Sequence, residues 1–214
     1  MRSPVIDITG RMNNEYAHNK KVFGVNKSMP AEFEKQILTA LSYFPELKET
    51  KITFSLIKGN SGVIETRPEW LSVFRNSRYR SYVVFIGDSS SKHTPQFMFR
   101  NSPVNGQVGI IGHELTHIVY FSKRNTFGLL KLGIAHVSSK YMDSFENKTD
   151  SICIERGLGY QLVDWNIYLR KAFGMQDPEN GPDPFFTDTT RERYMSPARI
   201  KQVMKKSNAY KAFH

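Results

Sequence analysis

Residues 106–123, GQVGIIGHELTHIVYFSK, decide the fold, because they predict a helix with two histidines, His113 and His117, four positions apart. Ile111 and Leu115 recur at helical spacing, as they do in a helix that buries one side against a core. Residues four apart lie one turn apart on one helix face, so the two imidazoles can face the same point. The stretch therefore predicts a buried helix that presents paired histidines.

The same five residues form an H-E-x-x-H motif, since Glu114 directly follows the first histidine. Two imidazoles at this spacing can bind one metal ion, and the carboxylate can reach a water on the open side of that ion. A helix whose histidines are satisfied by hydrogen bonds within the core is the alternative explanation of the motif. The motif therefore needs support from elsewhere in the chain.

That support comes from residues 141–157, which predict a second helix with its apolar residues in a stripe and Gly157 at its C-terminal end. Glu146 and Asp150 lie four positions apart, beside the stripe rather than opposite it. Burial of two carboxylates is unfavourable unless they are paired, and a metal centre would offset their desolvation. The carboxylates are therefore candidate metal-site residues.

Together the two motifs resemble those of the gluzincin metallopeptidases, in which H-E-x-x-H is followed by a helix with E-x-x-x-D; here the second motif is Glu146-Asn-Lys-Thr-Asp150. The resemblance covers residues 105–157 well and the preceding helix and strands loosely. It implies a catalytic Zn²⁺ with His113, His117 and Glu146 as ligands and Glu114 as general base. It also implies that Asp150 accepts a hydrogen bond from a ligand histidine.

Two features of the site stay open in the sequence. The residue that stabilises the transition state in gluzincins has no local motif here, and Tyr194, His136 and Tyr160 are candidates that a structural role would also explain. The third ligand is expected to be Glu146, but Asp150 could take that position instead, as in metallopeptidases of the aspzincin type.

The fold class expected from the whole chain is α+β and zincin-like: a small mixed or antiparallel sheet packed against the H-E-x-x-H helix and the following glutamate helix. Alternating or continuous apolar residues predict strands over 51–57 and 82–87, and a short strand over 97–100. Residues 63–79 suit either a short helix or a strand. An edge of such a sheet could run beside the metal-bearing helix and pair with an extended peptide.

The 214 residues are expected to form one domain, since 39% of them are apolar and the length suffices for a single core. Residues 1–28 read as an irregular polar arm. Residues 174–190, rich in proline and glycine, predict a loop, and residues 191–214 predict a basic C-terminal helix.

The net charge of +10 introduces an alternative function, a non-catalytic basic protein that binds nucleic acid and uses the metal or the helix pair for structure. Residues 191–214 carry seven Lys or Arg against the single Glu192. A solvated basic face explains such a helix more simply, and no nucleic-acid motif accompanies it. Three neighbouring arginines predict either a basic surface patch or a site that binds the acidic end of a substrate: Arg75, Arg78 and Arg80.

The expected activity is therefore zinc-dependent hydrolysis of peptide or protein substrates, with metal-dependent hydrolysis of another amide as a third possibility. Cys153 is the single cysteine, which excludes an intrachain disulfide and suits a reducing compartment. Because the sequence shows no signal peptide or membrane span, we expect a cytoplasmic protein with no membrane partner; secretion would require a leader that has been removed.

Overall fold

A computed structural model describes residues 2–57, 64–87, 98–135, 138–183 and 191–213. Across these residues the chain is α+β, with a four-stranded mixed sheet. Helices precede the strands and follow them along the chain. No helix among them combines the length and apolar character needed to span a bilayer.

The sheet has the order β1-β2-β4-β3. Its strands are β1 (Lys27–Ser28), β2 (Lys51–Ile57), β3 (Ile64–Pro68) and β4 (Ser81–Gly87). The pairs β1–β2 and β2–β4 are parallel, whereas β3 runs antiparallel to β4. β4 lies between two strands and is largely buried, as its continuous apolar run predicts. β3 forms an edge of the described sheet.

The first three helices are short, and the longest ones follow the sheet strands along the chain. The bounds of the helices are α1 (Thr9–Asn14), α2 (Tyr16–Phe23), α3 (Glu34–Leu41), α4 (Val104–Ser122), α5 (Thr126–Ala135), α6 (Ser139–Cys153), α7 (Gly159–Ala172) and α8 (Pro197–Lys206). The predicted helices over 106–123 and 141–157 correspond to α4 and α6.

Helix α4 lies at the centre of the molecule and is buried along nearly its whole length. It packs against α3, α6, α7 and the edge strand β3. Its contact with α7 is close because Gly109 has no side chain: a Cβ at Gly109 would lie 2.4 Å from the backbone carbonyl of Gln161. Small residues in this stretch thus permit the helix packing that fixes the site.

Helix α6 is separated from α7 by a wide turn, Ile154–Leu158. Gly157 has φ of 99°, a left-handed conformation that L-residues with side chains rarely adopt. A Cβ there would also lie 3.0 Å from the carbonyl oxygen of Arg2. Gly157 thus has the left-handed conformation expected of a C-cap glycine, but α6 itself ends earlier than predicted, at Cys153, with Ile154 as its cap.

Two sequence-based predictions are wrong, and a third holds only over a shorter range. Residues 1–28 are not irregular, since α1 and α2 lie here and bury Met12 and Phe23. The predicted strand over 97–100 is replaced, in its described part, by a 3₁₀ turn at Phe99–Asn101. The C-terminal helix occupies only α8 of the predicted 191–214 and is followed by a 3₁₀ turn, Asn208–Phe213.

The ambiguous segment 63–79 contains β3 and then two 3₁₀ turns, Trp70–Ser72 and Ser77–Tyr79. Arg80, which follows them, is buried rather than part of a surface patch. Its guanidinium donates to the carbonyl oxygens of Phe121, at 3.4 Å, and Arg124, at 2.5 Å. It therefore supplies a side-chain donor to the chain just beyond α4, where the Phe121 carbonyl also accepts from the backbone N–H of Arg124.

Candidate metal centre

Helix α4 presents His113 and His117 side by side, because they lie four positions apart on one face. Their Nε2 atoms are 3.1 Å apart, and both side chains are buried. His117 also stacks on Phe145 of α6, with ring centroids 5.0 Å apart. The surrounding packing therefore fixes the orientation of both imidazoles.

Helix α6 brings Glu146 to the same point. Its Oε2 lies 3.0 Å from Nε2 of His113 and 3.3 Å from Nε2 of His117. The three side chains are buried, and their ligand atoms all lie within 4.8 Å of one another, close enough to hold a single metal ion. The structure thus assembles the predicted ligand triad from two helices.

Asp150 lies one turn further along α6 and contacts the far side of the first imidazole. Its Oδ1 is 2.8 Å from Nδ1 of His113, and its Oδ2 accepts a hydrogen bond from the backbone N–H of Met195 at 2.9 Å. An ionised carboxylate can only accept, so Nδ1–H of His113 donates to Asp150. In the neutral form of this imidazole, Nε2 therefore keeps its lone pair. Asp150 is therefore placed to orient His113 rather than to share the triad.

The chemistry of these donors fits a cation. Two imidazole nitrogens and a carboxylate oxygen converge at distances of 3.0 to 3.3 Å, an arrangement that requires a proton or a cation among them. Burial disfavours a charged His113, but the Asp150 and Glu146 carboxylates outweigh it and raise its pKa well above the ordinary value. Burial likewise opposes ionisation of Glu146, yet the two histidines lower the pKa of its carboxyl.

Glu114 lies on the same helix, next to the triad and on the side of β3. Its carboxylate is buried, and Oε2 has no hydrogen-bond partner among the described residues. Burial raises the pKa of the Glu114 carboxyl; the two histidines and the nearby Thr66 side chain oppose the rise, and Glu146 adds to it. A buried carboxylate with an unpaired oxygen beside such a triad is suited to receive a proton.

Tyr194 comes from a segment far along the chain and lies over the first histidine, with ring centroids 5.9 Å apart. Burial raises the pKa of its hydroxyl, and the carboxylates of Glu146, Glu114 and Asp150 raise it further. The phenol therefore stays protonated and can act as a hydrogen-bond donor near the triad.

The segment that carries Tyr194, residues 191–196, is held in place by polar contacts with Asp183 and with two residues of α6. Asp183 accepts hydrogen bonds from the backbone N–H groups of Arg193, at 2.8 Å, and Tyr194, at 3.4 Å. Asn147 donates to the carbonyl oxygens of Glu192 and Arg193, each at 3.0 Å. Asp143 pairs with both Arg191 and Arg193.

The other candidates are not brought to the site or cannot be placed. His136 lies outside the described residues. Tyr160 packs against Tyr210, with ring centroids 5.7 Å apart, in the contact between α7 and the C-terminal turn. Thr66 was not identified from the sequence, because it lies in segment 63–79, which suited either a helix or a strand. Ile64 and Thr66 are two positions apart and so share one face of a strand, and this spacing was the signal in the sequence.

The comparisons with known proteins add no relative: no family model matches the chain, and no curated protein or solved structure is similar to it.

Proposed function

We propose that the chain is a zinc-dependent peptidase of the gluzincin type with a zincin-like fold. One observation carries the proposal: the convergence of His113, His117 and Glu146 beside the buried, partly unpaired carboxylate of Glu114. A helix pair kept only for structure has no need of a fourth acidic side chain with an unsatisfied oxygen in this position.

Zinc is the metal that best suits the donor set, since two imidazoles and one carboxylate with an open fourth position are typical of catalytic zinc sites. Glu146 is the third ligand in this proposal. The geometry supports it over Asp150, because Glu146 reaches both Nε2 atoms, whereas Asp150 contacts Nδ1 of His113. Zinc held in this way supplies Lewis acidity and makes water nucleophilic near neutral pH.

Glu114 acts as the general base in the proposed mechanism. Its carboxylate accepts the proton of the attacking water and then delivers that proton to the leaving amine. The raised pKa of Glu114 supports this role, because proton transfer in both directions is most efficient when the pKa of the carrier is near the operating pH.

Tyr194 is proposed to stabilise the negative charge that develops on the carbonyl oxygen of the substrate. Its protonated hydroxyl can donate a hydrogen bond, and its position over His113 supports the assignment. His136 is not needed for this step.

The edge strand β3 is proposed to hold the substrate. It pairs only with β4 among the described strands and packs against α4, so an extended peptide could add to its free side next to Glu114. This pairing favours a peptide over another amide as the substrate.

The test combines metal analysis with a peptide library for the wild type and three variants. We expect about one zinc per chain in the wild type. Glu146→Ala should lose the metal and Asp150→Ala should retain it weakly, while Glu114→Gln should keep the metal and lose hydrolysis. Metal retained in Glu146→Ala but lost in Asp150→Ala would make the aspartate the ligand and contradict the gluzincin assignment.

Two further outcomes would contradict the proposal that the chain is a zinc peptidase. Absence of zinc from wild type prepared without chelators would exclude a zinc enzyme. Zinc binding without cleavage of any peptide, in wild type and in Glu114→Gln alike, would favour a structural metal. The basic-protein alternative has less support, because Arg199 and Lys201 of α8 pair with Glu192 and Glu179.

A further inference from the structure

An exposed apolar face lies at the end of the molecule where α4 finishes. It consists of Trp70, Leu71 and Phe74, which follow β3, together with Phe127 and Leu130 of α5; we call it the apolar face. Trp70 and Leu71 are each 77% exposed and Phe127 is 76% exposed. Large exposed apolar side chains clustered in this way mark a surface that contacts another protein or a membrane.

The apolar face is anchored to the core rather than loosely attached. The hydroxyl of Thr126, next to Phe127, donates to the carbonyl oxygen of Val73, next to Phe74, at 2.8 Å. Trp70 and Phe74 pack edge to face, with ring centroids 6.3 Å apart. The buried Arg80 donates to the carbonyl oxygen of Arg124, two residues before α5 begins. The two segments therefore form one surface.

The segments that form the apolar face are rich in positive charge. Residues 70–87 and 115–142 together carry seven Lys or Arg and no Asp or Glu, and one of the seven, Arg80, is buried. Arg75, Arg78 and Lys131 are exposed beside the apolar side chains. The nearest preceding acid, Glu69, accepts a hydrogen bond from the Ser81 hydroxyl. A surface that combines exposed apolar side chains with positive charge is complementary to a partner with an apolar interior and negatively charged groups at its surface.

We propose that this face binds the surface of an anionic lipid bilayer. Tryptophan favours the boundary between headgroups and acyl chains, Phe and Leu insert below it, and Lys and Arg attract anionic headgroups. Binding of this kind needs no spanning helix. The proposal departs from the expectation that the chain has no membrane partner, which rested on the absence of a span, and it does not depend on the metal centre.

The first test is co-sedimentation of the full chain with vesicles of phosphatidylcholine, with and without phosphatidylserine. We expect binding to the anionic vesicles only, weakened by added salt. The double variant Trp70→Ser/Phe127→Ser should bind about a hundredfold more weakly, because each of the two large apolar side chains withdrawn from lipid costs about a factor of ten. Arg75→Gln/Arg78→Gln should reduce binding to anionic vesicles without creating binding to neutral ones.

A matched control uses exposed apolar residues elsewhere. Ile6 lies at the opposite end of α4, since its carbonyl oxygen accepts a hydrogen bond from Asn105, and Val25 precedes the strand at the opposite edge of the sheet. Ile6→Ser/Val25→Ser removes exposed apolar surface from the far side of the molecule. It should bind as the wild type does.

A second readout uses the two tryptophans of the chain. Trp165 is buried, so Trp165→Phe leaves Trp70 as a single reporter of its own surroundings. Addition of anionic vesicles should shift Trp70 emission to shorter wavelength and protect it from aqueous quenchers. The metal centre contains neither residue, so metal content should be unchanged.

Three results would overturn the proposal. These are no binding to anionic vesicles, equal binding by wild type and Trp70→Ser/Phe127→Ser, and equal loss in the Ile6→Ser/Val25→Ser control. Self-association of the wild type that disappears in Trp70→Ser/Phe127→Ser, without vesicle binding, would instead make the apolar face a contact between protein chains.

Discussion

Asp150 holds His113 in place from the side opposite Glu146 and His117: its Oδ1 lies 2.8 Å from Nδ1 of that histidine. Its other oxygen accepts the backbone N–H of Met195, the residue after Tyr194. One buried carboxylate thus fixes both a candidate ligand and the segment that carries the candidate donor. Both oxygens are needed, since each accepts a different hydrogen.

Asp150→Asn should therefore weaken metal binding by about 10- to 100-fold, the effect typical of losing a carboxylate partner of a ligand histidine. An amide has one acceptor oxygen and cannot accept from both His113 and Met195. Competition with a metal chelator measures the change. Glu155→Gln, at an exposed carboxylate near the end of the same helix, should have no effect; equal losses in the two variants would contradict the assigned role.

Tyr194→Phe should lower kcat by about 10²- to 10³-fold, as removal of a single transition-state hydrogen-bond donor does, and leave KM and zinc content nearly unchanged. The ring remains to pack over His113, so the substitution tests the hydroxyl alone. Steady-state kinetics on a cleaved peptide, with metal analysis of the same preparation, checks it. An unchanged kcat would assign the hydroxyl a structural role.

Arg80→Met should reduce the free energy of unfolding by about 2 to 3 kcal/mol, because the carbonyl groups of Phe121 and Arg124 lose a charged donor from a buried side chain. Arg78→Met, two residues away and exposed, should change it by less than about 0.5 kcal/mol. Urea denaturation of the two variants in parallel measures both. Similar values for the two would show that the carbonyl groups do not depend on Arg80.

Gly109→Ala should destabilise the fold by about 3 kcal/mol, since the new methyl group would overlap the backbone of Gln161 and force α4 and α7 apart. Gly10→Ala is the matched control, because a Cβ at Gly10 meets nothing within 4 Å. That variant should be neutral or slightly stabilising. Thermal unfolding followed by circular dichroism separates the two cases.

Asp143→Asn should lower stability near neutral pH and have little effect in acid. Burial opposes ionisation of Asp143, but Arg191 and Arg193 outweigh it and lower the pKa of its carboxyl below the ordinary 3.8. Stability gained from a lowered pKa is present above 3.8 and is lost as pH falls through the folded-state value. Urea denaturation across this range measures the difference between wild type and variant.

The control for this pH dependence is Glu49→Gln, at an exposed carboxylate. Its unfolding free energy should follow that of the wild type at every pH. If Asp143→Asn and wild type differ equally at neutral and acid pH, the contribution of Asp143 does not arise from its ionised form.

The parts of the site that sequence predicted are those that depend on local spacing. His113 and His117 share a helix face, and so do Glu146 and Asp150, because positions four apart coincide on any α-helix. Apolar runs likewise predicted β2 and β4. These features need no knowledge of distant residues.

The parts that sequence did not predict depend on contacts between distant residues. Residues 9–23 have few apolar side chains, yet their helices form because Met12 and Phe23 find a core to pack against. Thr66 lies near Glu114 because β3 pairs antiparallel with β4 and packs against α4. The role of Arg80 depends on carbonyl groups more than forty residues further along the chain.

The order in which the site residues occur along the chain has a consequence for synthesis on the ribosome. His113, His117 and Glu146 emerge before residues 191–196, which supply Tyr194 and the second partner of Asp150. A nascent or prematurely released polypeptide therefore carries the metal ligands without the phenol above them. If the proposed function holds, translation beyond residue 196, rather than metal capture alone, would set the moment at which the chain becomes competent to cleave.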